Sequence, residues 1–262
     1  HEMPQDCRDA LHVDVDQPVE FRRRHLPQRS GLIDHAGIAD QQIGRALRAR
    51  YIVGGTVRDL MLGREVTELD FDLTTDALPD AVKTILEGKV DALWTQGERF
   101  GTIAALRGTR SLEITTHRAE AYSPDSRKPE VKFSDSVLVD LSRRDFTINA
   151  MALELTAASP QLVDPHGGMD DLLSHRLRTP LSPEESFNDD PLRMLRAARF
   201  MATLSVVPDD ALVSAVRTMN DRLQIVSAER IRTEFDRMIV TDAVTMALRF
   251  AVETGLTAHF LP

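Results

Sequence analysis

The chain has one cysteine, Cys7, among 262 residues. That excludes an intrachain disulfide and a cysteine-based zinc cluster, and it suits a reducing compartment. No apolar run approaches the ~20 residues that span a bilayer. The N-terminal stretch lacks the apolar core of a secretory signal. The expected setting is the cytoplasm, with no membrane partner. Basic charge is also scarce: 32 Lys and Arg stand against 41 Asp and Glu, for a formal net charge of −9. Phosphate contacts need Lys and Arg, so a general nucleic-acid binder is disfavoured. Any RNA contact must come from local clusters, and two are visible: Arg22, Arg23, Arg24 and Arg29 near the start, and Arg143 with Arg144 in the middle. The first fits an ordinary solvated face. Internal repeats and low-complexity tracts are absent as well.

The remaining composition, 42% hydrophobic and 28% charged, is that of a globular protein long enough to bury a core. Three regions are expected. Residues 1–50 form an N-terminal extension with a leading helix over 31–50. Residues 51–180 have a mixed α and β texture. Residues 181–262 read as helices, at 209–222, 228–240 and 242–254, after one that starts at Asp190-Pro191. The helical pattern is still running at Leu261-Pro262, so a further C-terminal portion is expected. In the mixed region, Tyr51-Ile52-Val53 reads as a strand ending at Gly54-Gly55. A helix capped by Thr56, with Asp59 at the capping-box position, would run to Gly63. Residues 69–73 alternate as a half-buried strand does, residues 76–88 read as a helix, and residues 101–106 and 112–115 read as strands flanking the turn-like Arg107-Gly108.

Asp70 and Asp72 stand two apart on that alternating strand, so both carboxylates leave the same face while Leu69, Phe71 and Leu73 point inward. Two such carboxylates repel unless a cation lies between them. Hard oxygen donors suit Mg²⁺, held together with substrate phosphates. By itself the pair also fits a plain solvated strand face. Just upstream, Gly54-Gly55-Thr56-Val57-Arg58-Asp59 turns from strand to helix. Glycines there let a phosphate approach the backbone, and Arg58 offers a fork of donors. The glycine spacing is neither a dinucleotide fingerprint nor a Walker loop. Glu113, in a second alternating run, is a third carboxylate if its strand neighbours the first, and otherwise an exposed strand residue. Asp190 and Arg193, at i and i+3, share a helix face. The carboxylate can accept from an exocyclic amino group and the guanidinium can donate to ring nitrogen and carbonyl oxygen, which suits C and A and rejects U and G. The plain alternative is a helix cap with an intrahelical ion pair.

The segments 53–59, 69–72 and 143–152 resemble the head of the class II tRNA nucleotidyltransferase and bacterial poly(A) polymerase family. Residues 164–172 resemble its hinge motif, 189–196 its base-reading motif, and Glu229-Arg230 with Glu234 its neck motif. All run in the family order. The resemblance implies an α+β chain: a polymerase-β-type nucleotidyltransferase head followed by an all-helical neck and body. It implies that Asp70 and Asp72 hold Mg²⁺ while the 3′ end of a tRNA attacks CTP or ATP, adding CCA without a template. Gly54, Gly55, Arg58, Arg144, Asp145, Asn149, Asp190, Arg193 and Arg196 form the expected nucleotide-binding set, with Arg144, Asp145 and Asn149 on the triphosphate and sugar. Two departures stand out: Asp189 occupies a position where the family usually has Glu, and the link at 204–208 is shorter than usual. Residues 96–103 resemble the tRNA-type version of their segment, which favours CCA addition over poly(A) synthesis. A partial enzyme adding only CC or only A, and a non-catalytic RNA- or nucleotide-binding module, are the other readings.

Overall fold

A computed structural model describes residues 51–64, 72–108, 110–121, 130–155 and 160–261. The first strand, β1 (Tyr51–Val53), buries Ile52 and Val53 and stops at Gly54. Gly54 has φ 72° and ψ −139°, a conformation that a Cβ disfavours strongly. Helix α1 (Gly55–Met61) starts there, two residues earlier than the Thr56 cap implies, and no side chain caps it. Thr56 is buried in the first turn. Asp59 binds Arg58 and Arg64 instead of closing a capping box. Gly63, at φ 78°, follows the end of the helix as its spacing suggests.

Strand β2 (Asp72–Thr75) keeps the expected alternation at its start, with Asp72 exposed and Leu73 buried. The upstream half of the expected strand, Asp70 included, lies outside the described residues, as do the leading helix at 31–50 and the arginines at 22–29. Helix α2 (Pro79–Leu86) is shorter than the expected 76–88. Pro79 opens it, and Val82 and Leu86 seat it in the core. Strands β3 (Ala92–Trp94), β4 (Thr102–Arg107) and β5 (Arg110–Thr116) follow, with Ile103, Ala105, Leu112 and Ile114 inward. A separate antiparallel pair, β6 (Arg118–Ala121) and β7 (Glu130–Phe133), leads into helix α3 (Val137–Ser142) and a 3-10 turn at Thr147–Asn149. Strands β8 (Ala152–Glu154) and β9 (Gln161–Val163) complete a seven-stranded sheet of order β3-β4-β5-β2-β1-β8-β9. Its neighbours are antiparallel except β2 and β5, which run parallel.

Helix α4 (Gly168–Leu173) and strand β10 (Arg176–Leu177) lead out of the sheet region. Gly168 is fixed by contact, since a Cβ there would come within 2.1 Å of the Thr147 carbonyl oxygen. The remainder is helical: α5 (Pro183–Asp189), α6 (Leu192–Leu204), then α7 (Asp210–Met219), α8 (Ala228–Ile239) and α9 (Val244–Glu253). Helix α5 is not anticipated by the sequence reading, although Ser182 and Glu185 form a full capping box for it. The second part is helical as expected, with one two-residue strand in its link. The short link after α6 turns at Ser205, φ 53°, and forms strand β11 (Val207–Pro208), which pairs in parallel with β10. A compact link can do this because Val207 N–H and Asp209 N–H both find carbonyls beside β10, on His175 and Leu177.

The architecture is therefore α+β, a mixed sheet joined to a helical region. One buried cluster runs without a break from Ile52, Val57 and Ile114 in the sheet region through Phe146 to Leu195, Val216 and Ala251 in the helices. Among the described residues, no helix is long and apolar enough to cross a membrane.

Candidate active site

Strand pairing brings the first functional groups together. Asp72 and Glu113 are Cα partners in the parallel β2–β5 ladder, so both side chains leave one face of the sheet. Both line a cleft of about 330 Å³. Arg118, Arg143, Arg144, Arg193 and Arg196 line it too, as do Asp145 and Asp190. Val53 lines it as well, and Gly54 follows directly. A Cβ there would sit 2.9 Å from Arg144 Nη1 and 3.9 Å from Asp72 Oδ2, so glycine is what lets that guanidinium cross the backbone. Arg144 donates from Nη2 to Asp140 Oδ2 at 3.1 Å, while its Nε is buried without a hydrogen-bond partner.

Asp145 is buried at the junction with the helical region. Its Oδ1 accepts from Phe146 N–H and Asn149 Nδ2, at 2.8 and 3.0 Å. Its Oδ2 accepts from Arg196 Nε and Nη2, at 3.0 and 2.6 Å. Burial alone would raise this carboxyl, but Arg196, with Asn149 and Arg193, holds it down at about 2. Arg196 in turn donates from Nη1 to Glu234 on α8, which Arg199 also binds. A chain of charge-assisted bonds thus runs from Asp145 to α8.

Asp190 closes α5 as its C-terminal cap residue, and the N-cap of α6 is Pro191 rather than Asp190, although Asp190 Oδ1 accepts from Leu192 N–H at 3.2 Å. Its other oxygen accepts from Arg230 Nη2 on α8, at 2.7 Å. Arg193 donates to Arg143 O at 2.6 Å and to Ser186 Oγ at 2.9 Å. Asp190 and Arg193 form no ion pair with each other, so both face the cleft from one end of the helix.

Three expected residues are placed differently. Arg58 is buried, with Nη1 on Asn149 Oδ1 at 2.6 Å and with Nε and Nη2 on the Asp59 carboxylate. Its fork is engaged by Asn149 and Asp59, and Arg58 is not among the residues that line the cleft. Asn149 is buried between Arg58 and Asp145 and props the latter. Gly55 packs over the Arg58 guanidinium, 3.3 Å from Nη2 for an ideal Cβ. Asp70 lies outside the described residues. Asp140, absent from the expected set, is a fully buried carboxylate beneath Arg143 and Arg144. Its spacing of three and four residues from those arginines was the available signal.

Two carboxylates in register, faced by a row of guanidiniums and one unsatisfied N–H, can hold a polyphosphate and a divalent cation side by side. A mixed sheet carrying this set, with a second polar pair supplied by a following helix, defines a nucleotide-handling head. A family described as the poly A polymerase head domain matches residues 50–178, and one described as a probable RNA and SrmB-binding site of polymerase A matches residues 208–262. The CCA-adding enzyme of Lactobacillus helveticus is 40% identical over 208 residues, 79% of this chain and 50% of that protein. A Geobacillus CCA-adding enzyme is 38% identical over 79% of this chain and 49% of its own length. The Bacillus stearothermophilus CCA-adding enzyme in complex with CTP superimposes with a TM-score of 0.75 at 31% identity, over 87% of this chain and 53% of that one. A tRNA nucleotidyltransferase complexed with a primer tRNA and an incoming ATP analog has a TM-score of 0.68 at 28% identity, over 87% and 62%. The chain belongs to the class II tRNA nucleotidyltransferase and bacterial poly(A) polymerase family. It spans about half the length of the curated relatives it matches.

Proposed function

We propose that this chain carries the catalytic head and base-reading helix of an enzyme that adds C and A to the 3′ end of tRNA, using CTP and ATP. The observation that carries this reading is the meeting of Asp72 and Glu113 with Asp190 and Arg193 in one cleft. The names of its relatives support tRNA over other RNAs, and that role places the chain in the cytoplasm. In the reaction, the primer 3′-hydroxyl attacks the α-phosphorus of the incoming nucleotide. A P–O bond forms to the primer, the bond to pyrophosphate breaks, and the hydroxyl proton leaves to a carboxylate of the site or to water.

Asp72 and Glu113 fit a divalent cation, Mg²⁺ by preference, because both are hard oxygen donors leaving one sheet face in register. Asp70, two residues before Asp72, completes the set in sequence. When bound, such an ion lowers the pKa of the attacking hydroxyl and neutralises charge on the leaving group. Arg143 and Arg144 hold the triphosphate, with Arg144 Nε offering an N–H that a phosphate oxygen would satisfy. Asp145, kept anionic by Arg196, accepts from a sugar hydroxyl. Asp190 accepts the amino group that C and A share, and Arg193 donates to the ring nitrogen beside it.

The test is incorporation into tRNA lacking its terminal CCA, with each of the four triphosphates alone and CTP and ATP together. The expected result is C, C and A in order, with U and G rejected. Runs of A identify a poly(A) polymerase, C or A alone identifies a partial enzyme, and no transfer leaves a binding module. Arg193→Ala should weaken use of CTP and ATP together and relax rejection of UTP, because each mismatched polar group costs about 1–3 kcal/mol in a closed site.

A further inference from the structure

Helix α3 has six residues and one buried charge. Asp140 has no exposed surface, yet its two oxygens serve three residues of the cleft wall. Oδ1 accepts from Arg143 Nε and Nη2, at 3.0 and 2.7 Å, and from Arg118 N–H at 3.2 Å. Oδ2 accepts from Arg144 Nη2 at 3.1 Å. Arg118, Arg143 and Arg144 all line the cleft.

Two guanidiniums on adjacent residues repel each other and carry long, mobile side chains. One anion beneath both removes the repulsion and holds a single arrangement of the two. Arg143 donates to the carboxylate from Nε and Nη2, and Arg144 donates from Nη2. Arg144 then reaches across Gly54 toward Asp72. The same anchorage extends further, because the carbonyl of Arg143 accepts from Arg193 Nη2 at 2.6 Å. The carboxylate stays ionised throughout the working range: burial would raise it, but Arg144 and Arg143 hold it at about 2.

We infer that Asp140 is the positioning residue for the nucleotide's triphosphate, a buried anion that sets Arg143 and Arg144 at the phosphate end of the cleft without touching the substrate. This rests on the nucleotidyltransferase reading of that cleft. It assigns Asp140 a role in phosphate affinity that Asp145 and Asp190, which face sugar and base, do not share.

The experiment measures the affinity of the chain for CTP, for inorganic triphosphate and for cytidine by calorimetry, and KM and kcat for CTP incorporation. The variants are Asp140→Asn, Asp140→Glu, Arg144→Ala and the double variant Asp140→Asn with Arg144→Ala. Asp140→Asn should weaken CTP and inorganic triphosphate by about tenfold, leave cytidine unchanged, and raise KM far more than it lowers kcat. Asp140→Glu, which keeps the charge but moves it by one methylene, should recover part of the loss. In the double variant the triphosphate loss should be less than the sum of the single losses, because Asp140 acts through Arg144. Unchanged triphosphate affinity in Asp140→Asn, fully additive losses, or equal weakening of cytidine and triphosphate would each overturn the inference. If the asparagine variant fails to fold, the glutamate variant decides: wild-type triphosphate affinity there would also overturn it. Binding is read without tRNA, so a chain that binds CTP and transfers nothing refutes the tRNA reading while the variants' affinities still decide the role of Asp140.

Discussion

Arg230 donates to Asp190 at 2.7 Å across forty residues of chain, so the carboxylate proposed to read the base already carries a guanidinium from α8. The pair is partly exposed, with 28% of the Asp190 side chain and 55% of the Arg230 side chain accessible. Its contribution to stability is therefore small, about 1 kcal/mol or less. Its effect on orientation is larger, because Leu192 N–H fixes one oxygen and Arg230 fixes the other.

Arg230→Ala should accordingly leave the melting temperature nearly unchanged and reduce the preference for CTP over UTP several-fold. Single-nucleotide incorporation, run beside thermal unfolding, measures both. An unchanged preference would mean that the bond from Leu192 N–H is enough to aim Asp190.

Asp72→Ala should lower transfer by roughly two orders of magnitude or more, the scale on which removing one preorganised electrostatic partner acts. The residue is exposed at the start of β2, while the neighbouring Leu73 holds the strand in the core. Circular dichroism and CTP binding in the absence of divalent ions should look like wild type. Substantial Mg²⁺-dependent transfer by the variant would remove Asp72 from the cation site.

Acid stability follows from Asp145. Its folded value, about 2, lies below its ordinary value of 3.8. A depressed carboxylate stabilises the fold above its unfolded pKa, and that contribution is lost as pH falls through the folded one. Urea midpoints should therefore drop between about pH 4 and pH 2. Asp145→Asn should start lower at pH 7, because Arg196 loses its partner, and show a shallower fall across that acid range.

His117 acts higher on the scale. Thr74 donates its hydroxyl hydrogen to the Thr115 carbonyl, so its oxygen accepts from His117 Nδ1 at 2.8 Å. That assigns the ring proton to Nδ1 and leaves Nε2 buried without a partner. Burial lowers the imidazole pKa, against the pull of Asp140 and Asp76 and with the help of Arg144 and Arg143. A lowered histidine is stable when neutral. The unfolded chain takes up its proton as pH falls below 6.5 while the folded chain does not, so stability declines over that range. His117→Phe should flatten the urea midpoint between pH 7 and pH 5. An equally steep decline in the variant would move the effect to another group.

The period-two runs around Asp72 and Glu113 were readable as strands, and the carboxylate positions followed from them. Their meeting was not, because it depends on β2 and β5 lying parallel and in register, a pairing that no local pattern encodes. Arg58 shows the same limit from the other side. Beside a Gly-Gly turn it looked like a phosphate donor, but its partner Asn149 lies 91 residues away. The capping box of α5 is legible in Ser182 and Glu185, just upstream of Asp189. Asp140 was hidden for a simpler reason: its spacing from two arginines matches an exposed helical ion pair, and only its burial distinguishes it.

Phe200 on α6 meets Phe146 edge-on at 5.6 Å, and the guanidiniums of Arg58, Arg196 and Arg199 lie 4.2 to 5.5 Å from its ring centre. Phe146 and Arg58 come from the sheet region, while the ring itself comes from the helices. Together with the unbroken buried cluster, this makes residue 180 a change of texture and not a line of cleavage in the free-energy sense. Heating should produce one calorimetric peak whose enthalpy matches the van't Hoff value. Phe200→Ala, which removes the shared ring, should shift that peak to lower temperature and separate it into two.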